Sequence, residues 1–279
     1  MQVDSQKRLR LTIERSSHLL AKLAAHPTGN NVHKFRTQSR RVETILGELL
    51  ADPSRNQKKV LKQLARLRKK AGKIRDLDVQ IATLRNLKIP QAARQKSELL
   101  RVLAEDLAKR QDDIVRLCKK TGTDEVRKRM KRVLTEIQVP SSAKLLQMAR
   151  RKIMDLDVSA GPPSEKTLHS YRVIGKQARY IAELAGESPE VLQFIENLKQ
   201  LQDLLGDWHD WLQLSMSAEE HLGGSAKSPL SAALQNVARA KYRQASDGLL
   251  EVRSALIQKS EPPPRKNVQS SNPAKAAVA

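Results

Sequence analysis

The chain of 279 residues has little of what several classes of protein depend on. Its one cysteine, Cys118, excludes an internal disulfide framework and a cysteine-based zinc site, and it favours a reducing compartment. Aromatic residues make up 3% of the chain, whereas proteins that bind single-stranded nucleic acid usually stack bases on aromatic side chains. No run of about 18 apolar residues occurs, so no membrane-spanning helix is predicted.

Acidic residues are also scarce relative to basic ones. Against 30 Asp and Glu stand 52 Lys and Arg, a formal net charge of +22. Such a charge attracts polyanions, so nucleic acid, polyphosphate and anionic lipid surfaces are candidate partners. The 39% of hydrophobic residues suffice for a core, in one large domain or in two halves. The first residues lack the apolar segment of a signal peptide, and we expect a soluble cytoplasmic protein.

The hydrophobic pattern predicts an all-α fold. Apolar residues recur at helical spacing, and no segment alternates with the two-residue period of a strand. Asp52 is expected to cap the third helix, with Pro53 at its first position. The predicted helices cover about residues 4–24, 31–50, 53–87, 90–120, 124–137, the stretch from Ser142 to 157, 164–185, 189–220 and 229–258. The last residues, 260–279, are predicted to be a disordered tail.

One basic motif occurs twice. His33, Arg36 and Arg40 are separated by three and four residues, so that they lie on one face of a helix. The same spacing recurs at His169, Arg172 and Lys176. A repeated three-point match of this kind indicates an internal duplication.

The two longest predicted helices support the duplication. Gly72 and Asp76 of the first match Gly206 and Asp210 of the second. The apolar seams of the two helices also share one spacing; they are Val60, Leu64, Leu67, Ala71, Ile74, Asp78 and Ile81, and Phe194, Leu198, Leu201, Leu205, Trp208, Leu212 and Ser215. We therefore expect two long-helix bundles of the same fold, from residues 1–140 and 141–259.

These elements together resemble a known family. The motifs at 32–41 and 168–180 are followed by matching long-helix elements at 72–78 and 199–206. In this order they resemble the CHAD family, the conserved histidine α-helical domain, over about residues 4–258. The resemblance implies two four-helix bundles related by a pseudo-twofold axis, with a basic central channel that binds inorganic polyphosphate.

The chain differs from the usual family pattern in three respects. Members are often fused to a triphosphate-tunnel domain, but no Glu-x-Glu-x-Lys motif is present, so a stand-alone member is expected. Glu43 stands where the first motif usually carries a further Arg. Gln177 replaces a basic residue of the second motif. Each of these two replacements removes one expected contact with the ligand.

A basic stripe extends along the first long helix. Arg55, Lys59, Lys62, Arg66, Lys69 and Lys73 share one face, with no acidic residue between 54 and 73. The stripe is either a solvated surface or a track for an anionic partner. The full set of predicted polyphosphate ligands is His33, Arg36, Arg40, Arg41, Lys59, Lys62, Arg66, Lys69, Lys73, Arg75, His169, Arg172, Lys176, Arg179, Lys199 and His209, with Asp76 and Asp210 as orienting acceptors.

Three interpretations of His33 and His169 remain open. The chain's other histidines show no metal-ligand spacing around them, so a metal site is not expected. The two can be core histidines, or donors to phosphate beside Arg36 and Arg172. In the last case polyanion affinity should rise as the pH falls from 8 to 6.

Four aromatic residues and one carboxylate on apolar faces are assigned to the core. Asp78 interrupts the seam of the first long helix, so we expect it to form a salt bridge with a neighbouring helix. The aromatic residues predicted to lie in the core are Phe35, Tyr171, Trp208 and Trp211.

Non-catalytic binding of inorganic polyphosphate, with recruitment to polyphosphate granules, is the leading functional hypothesis. Non-specific nucleic-acid binding is the second, because the charge alone allows it. Phosphoryl transfer or hydrolysis is the third, but the sequence shows neither a carboxylate-held metal site nor a glycine-rich phosphate loop. No cofactor and no membrane partner are expected.

Overall fold

A computed structural model describes residues 2–156, 162–223 and 228–258, and this part of the chain is helical without a strand. Its elements are α1 (Gln2–Ala25), α2 (Gly29–Leu49), α3 (Arg55–Asn86), a 3₁₀ turn (Pro90–Ala92), α4 (Ala93–Thr121), α5 (Thr123–Thr135), α6 (Ser142–Met154), α7 (Glu165–Ala185), α8 (Pro189–Leu222) and α9 (Pro229–Gln258). The all-α prediction is confirmed. The predicted tail, 260–279, lies outside the described residues. None of the described helices is both long and apolar enough to span a membrane.

Serine side chains begin several of the helices. The hydroxyl oxygens of Ser141, Ser164 and Ser188 each accept a hydrogen bond from a backbone N–H of the first turn of α6, α7 or α8. The predicted cap of α3 by Asp52 is wrong. Ser54 caps this helix instead, because its hydroxyl accepts from Gln57 N–H while the Gln57 side chain accepts from Ser54 N–H. This reciprocal capping box satisfies two backbone donors, which Asp52 does not do here.

The core joins the N-terminal and C-terminal parts of the chain. Helix α2 packs on α1 and α3, α7 packs on α6 and α8, and α2 also contacts α7 directly. One buried cluster includes Val32 and Phe35 of α2 together with Leu168 and Tyr171 of α7. A smaller cluster links α3, α4, α8 and α9. Helices α2 and α7, which carry the two basic motifs, are therefore held against each other by shared apolar packing.

The aromatic residues assigned to the core are found there. Phe35, Tyr171 and Trp208 are buried, and Trp211 packs partly buried against the smaller cluster. The Tyr171 hydroxyl donates a hydrogen bond to the Leu156 carbonyl at 3.2 Å, which satisfies its polar end. Burial of Cys118 raises the pKa of its thiol to about 11, so the thiol stays protonated at neutral pH.

Within the described residues, Asp78 does not form the expected salt bridge to a neighbouring helix. It is half-buried, and burial raises its pKa while Arg75 of the same helix lowers it. The Oδ2 atom of Asp78 lies close to Gly29, the first residue of α2. A Cβ atom added to Gly29 would lie 2.9 Å from it. A helix N-terminus carries partial positive charge, which favours a carboxylate at this position, although Oδ2 has no hydrogen-bond partner among the described residues.

Candidate functional site

Helices α2 and α7 bring the two basic motifs together in one group of positive charges. Arg36 and Arg40 project from α2, and Arg172 and Lys176 from α7; we call these four residues the central cationic cluster. Burial lowers the pKa of Arg40 to about 10, and Arg36 and Arg172 are among the charges that lower it further. Burial lowers the pKa of Lys176 to about 7, with contributions from Arg172, Arg40 and Arg36. Because charges on each helix lower the pKa of a group on the other, the charges of α2 and α7 lie close enough to interact.

Two aspartates of the long helices accompany the cluster in matching positions. Asp76 of α3 lies 3.6 Å from Arg36, and Asp210 of α8 lies 3.9 Å from Arg172. Both distances exceed those of strong charge-assisted hydrogen bonds, which are about 2.7–2.9 Å. Burial raises the pKa of Asp210, and Arg172 and Lys176 lower it. With two carboxylates against four cations, the cluster keeps an excess of positive charge.

The histidines line this group, and the charged form is disfavoured for two of them, His33 and His209. His33 and His169 are exposed, so they are not core histidines. The pKa of His33 is lowered by partial burial and by Arg75 and Arg36. The ring centroids of His209 and His169 are 6.0 Å apart. Burial is the largest cause that lowers the pKa of His209, to about 3, and the charge of Arg172 is the next. Neutral imidazoles can still donate one N–H to an anion.

In the described part of the chain, His33 and His209 lie close to arginine side chains. No group of three or more His, Cys, Asp or Glu side chains in that part is arranged to hold a metal ion. The arrangement around His33, His169 and His209 is instead one of hydrogen-bond donors beside guanidinium groups.

Three of the predicted ligands, Arg41, Arg179 and Lys199, have protein partners of their own. Arg41 forms a 2.6 Å ion pair with Glu183 and lies over the Tyr180 ring, 5.2 Å from its centroid, so it connects α2 to α7. Arg179 donates to Glu183 at 2.9 Å and to the Gln202 side chain at 3.0 Å. Lys199 is exposed and lies 3.9 Å from Glu196. These contacts give Arg41 and Arg179 a structural role in the free protein.

The basic stripe of α3 is exposed along its whole length. None of its six residues forms an ion pair with a described residue. The stripe ends at Lys73, one helical turn before Asp76, and so leads towards the central cationic cluster. Arg75 lies beside it and influences His33, Asp78 and Asp210. The stripe is thus a single-sign surface that ends one turn before Asp76, the partner of Arg36.

Sequence reasoning missed Arg68, which lies next to the cluster. Its Nε donates to both carboxylate oxygens of Glu43, at 2.8 and 3.0 Å, and its charge helps to lower the pKa of Arg40. Arg68 lies one turn before Gly72, whose position faces Arg36. A Cβ added to Gly72 would lie 3.6 Å from Arg36 Nε.

The fold and the site together define an all-α protein with a cationic cluster shared by two helical motifs. A family model for the CHAD domain matches residues 13–216, and the chain belongs to this family. Among solved structures it is similar to the crystal structure of the CHAD domain from the plant Ricinus communis. That match has 15% sequence identity and a TM-score of 0.70, and it covers 92% of this chain and 91% of the other. No curated protein matches the sequence.

Proposed function

We propose that this protein binds inorganic polyphosphate at the central cationic cluster without catalysing a reaction on it. The observation that carries the proposal is the crowding of four cationic side chains from α2 and α7 at half-buried and buried positions. Holding like charges together out of water is unfavourable, and a bound polyanion relieves both the repulsion and the lost hydration. Membership of the CHAD family points the same way.

The chemistry of the donors suits a chain of phosphoryl groups. Arginine presents a planar fork of N–H donors and lysine a compact charge, and both groups here are carried on packed helices. The exposed stripe from Arg55 to Lys73 offers further cations on the approach to the cluster. A flexible polymer with one negative charge per unit can engage both regions at once.

Non-specific nucleic-acid binding is the second hypothesis, and the aromatic residues argue against its single-stranded form. Phe35, Tyr171 and Trp208 are buried, so their rings are not available for base stacking. Recruitment to polyphosphate granules in the cytoplasm would follow from polymer binding, and we include it in the proposal.

A binding titration distinguishes these hypotheses. Polyphosphates of increasing length are titrated at several salt concentrations, with DNA and RNA of equal charge as competitors. We expect affinity to rise with polymer length, log affinity to fall linearly with log salt, and polyphosphate to compete far better than nucleic acid. Equal competition by DNA would reject the proposal, and shortening of the polymer during incubation would establish an enzyme instead.

The pH dependence of binding is expected to report Lys176. In the free protein the amine has a pKa of about 7, facing Arg172, Arg40, Arg36, Asp210 and His209, so it is largely neutral at pH 8 and largely charged at pH 6. A bound polyanion favours the charged amine, so binding takes up a proton. Affinity for long polyphosphate should therefore rise as the pH falls from 8 to 6, by at most about tenfold per unit.

Two variants identify the side chain that takes up this proton on binding. Lys176→Arg should bind well at pH 8 and lose most of the pH dependence, because arginine remains charged. The double variant His33→Gln/His169→Gln should keep the dependence. The opposite pattern would show that the histidines, and not Lys176, become charged on binding.

A further inference from the structure

A small pocket opens beside the central cationic cluster, where α2, α3 and α7 meet. Its volume of about 290 Å³ is room for roughly ten water molecules. Arg40 belongs both to the cluster and to the pocket, so the two are continuous. The lining consists of two guanidinium groups, one carboxylate, two neutral polar side chains and one apolar side chain: Arg40, Arg68, Glu43, Thr44, Gln177 and Val173.

The two guanidinium groups of the pocket differ in their partners. Arg40 forms no ion pair within the part of the chain that the structure describes, although Glu43 is a neighbouring charge. Arg68, by contrast, donates to both oxygens of Glu43, and both members of that pair are largely buried, with 19% and 16% of their side chains exposed. One guanidinium is thus open to a ligand, and the other is occupied by a carboxylate.

The carboxylate of Glu43 holds the position that an anionic oxygen of a ligand would take. Guanidinium groups bind carboxylate and phosphate through the same N–H donors. Burial raises the pKa of Glu43, and the hydrogen bond from Arg68 opposes that rise, so the ionised carboxylate depends on this partner. The hydroxyl of Thr44 and the amide of Gln177 add neutral donors to the same space.

We infer that the pocket is an anion subsite for a phosphoryl group next to those bound at the cluster, and that Glu43 competes with this group for Arg68. The inference rests on the proposed function, because the polymer at the cluster delivers the phosphoryl group. Glu43 is then a specificity-determining residue that weakens binding at this end of the site. Its removal should strengthen binding, which a purely structural ion pair would not do.

The test is the variant Glu43→Gln, which keeps the size of the side chain and removes its charge. Affinity for long polyphosphate should rise about tenfold, the effect of one added charge-assisted contact. The slope of log affinity against log salt should steepen by about one. Glu48→Gln is the matched control: it removes the same charge from the same helix, and Glu48 pairs with Lys152 at 2.6 Å outside the pocket. It should change affinity much less.

Two further variants complete the test. Adding Arg68→Gln to Glu43→Gln should abolish the gain. Glu43→Asp keeps the net charge and shortens the carboxylate, so a smaller gain in affinity is expected; this variant carries the test if Glu43→Gln does not fold, as judged by circular dichroism. Equal gains for Glu43→Gln and Glu48→Gln, or no gain with Glu43→Asp, would overturn the inference while wild-type binding stands. Absence of wild-type binding would instead reject the proposed function.

Discussion

Replacing Arg36 and Arg172 together by alanine is expected to lower the affinity for long polyphosphate at least about a hundredfold. Each side chain would supply the bound polymer with a charge-assisted contact worth about 1.5–3 kcal/mol, and about 1.4 kcal/mol corresponds to a tenfold change in affinity. The melting temperature should change little, because their pairs with Asp76 and Asp210 are long, at 3.6 and 3.9 Å. Binding is measured by titration at constant salt, and stability by circular dichroism.

The double variant Arg101→Ala/Arg116→Ala is the matched control. It removes two positive charges from exposed positions on α4, where each side chain forms its ion pair, among the described residues, within its own helix. Its affinity should fall by much less than that of the site variant. Equal losses would mean that net charge alone drives binding, and a large fall in melting temperature for Arg36→Ala/Arg172→Ala would mark the two arginines as structural.

Lys176→Met is expected to make the protein more stable and a weaker binder at once. The amine has a pKa of about 7 in the folded protein and about 10.4 when unfolded, so its burial costs most below about pH 7 and nothing above about pH 10.4. Methionine removes this cost. The melting temperature at pH 7 should rise by on the order of 5 °C, and affinity for polyphosphate should fall about tenfold.

Lys241→Met provides the contrast for this prediction. Lys241 lies 2.8 Å from Asp207, so its charge is paired and its loss should leave stability unchanged or lower. Both variants are melted between pH 6 and 10. The free energy of unfolding of the wild type should increase with pH over this range, because the cost of burying the Lys176 charge is lost. This increase should be absent from Lys176→Met. A lower melting temperature for Lys176→Met would show that the amine is favourably placed in the free protein.

The helical architecture was accessible from the sequence because helical periodicity is local. Breaks at His26 to Asn30 and at Gly122 lie where the structure ends α1 and α4. The start of α3 was misplaced because Asp52, Pro53 and Ser54 all suit a helix start, and only the side-chain geometry of Gln57 selects Ser54. The internal duplication and the domain boundary at 140 stay predictions.

The candidate site was only partly accessible for the opposite reason. Spacing on one helix identified Arg36, Arg40, Arg172 and Lys176, because a shared face is a local property. It did not reveal that Arg41 pairs with Glu183 or that Glu43 holds Arg68, since these contacts join residues of different helices. The prediction for Asp78 was wrong for the same reason. Its sequence neighbourhood does not show that the start of another helix lies beside its carboxylate.

The direct packing of α2 on α7 would couple a bound polyanion to the stability of the whole chain. The two motifs stay side by side only while the core that contains Phe35 and Tyr171 is intact. An anion that bridges Arg36 and Arg172 would bind the folded state more tightly than the unfolded chain, so it would shift the folding equilibrium by mass action. Free polymer at about a hundred times its Kd would add at most about 2.7 kcal/mol to the free energy of unfolding. The resistance of this protein to unfolding would then vary with the amount of polyphosphate around it.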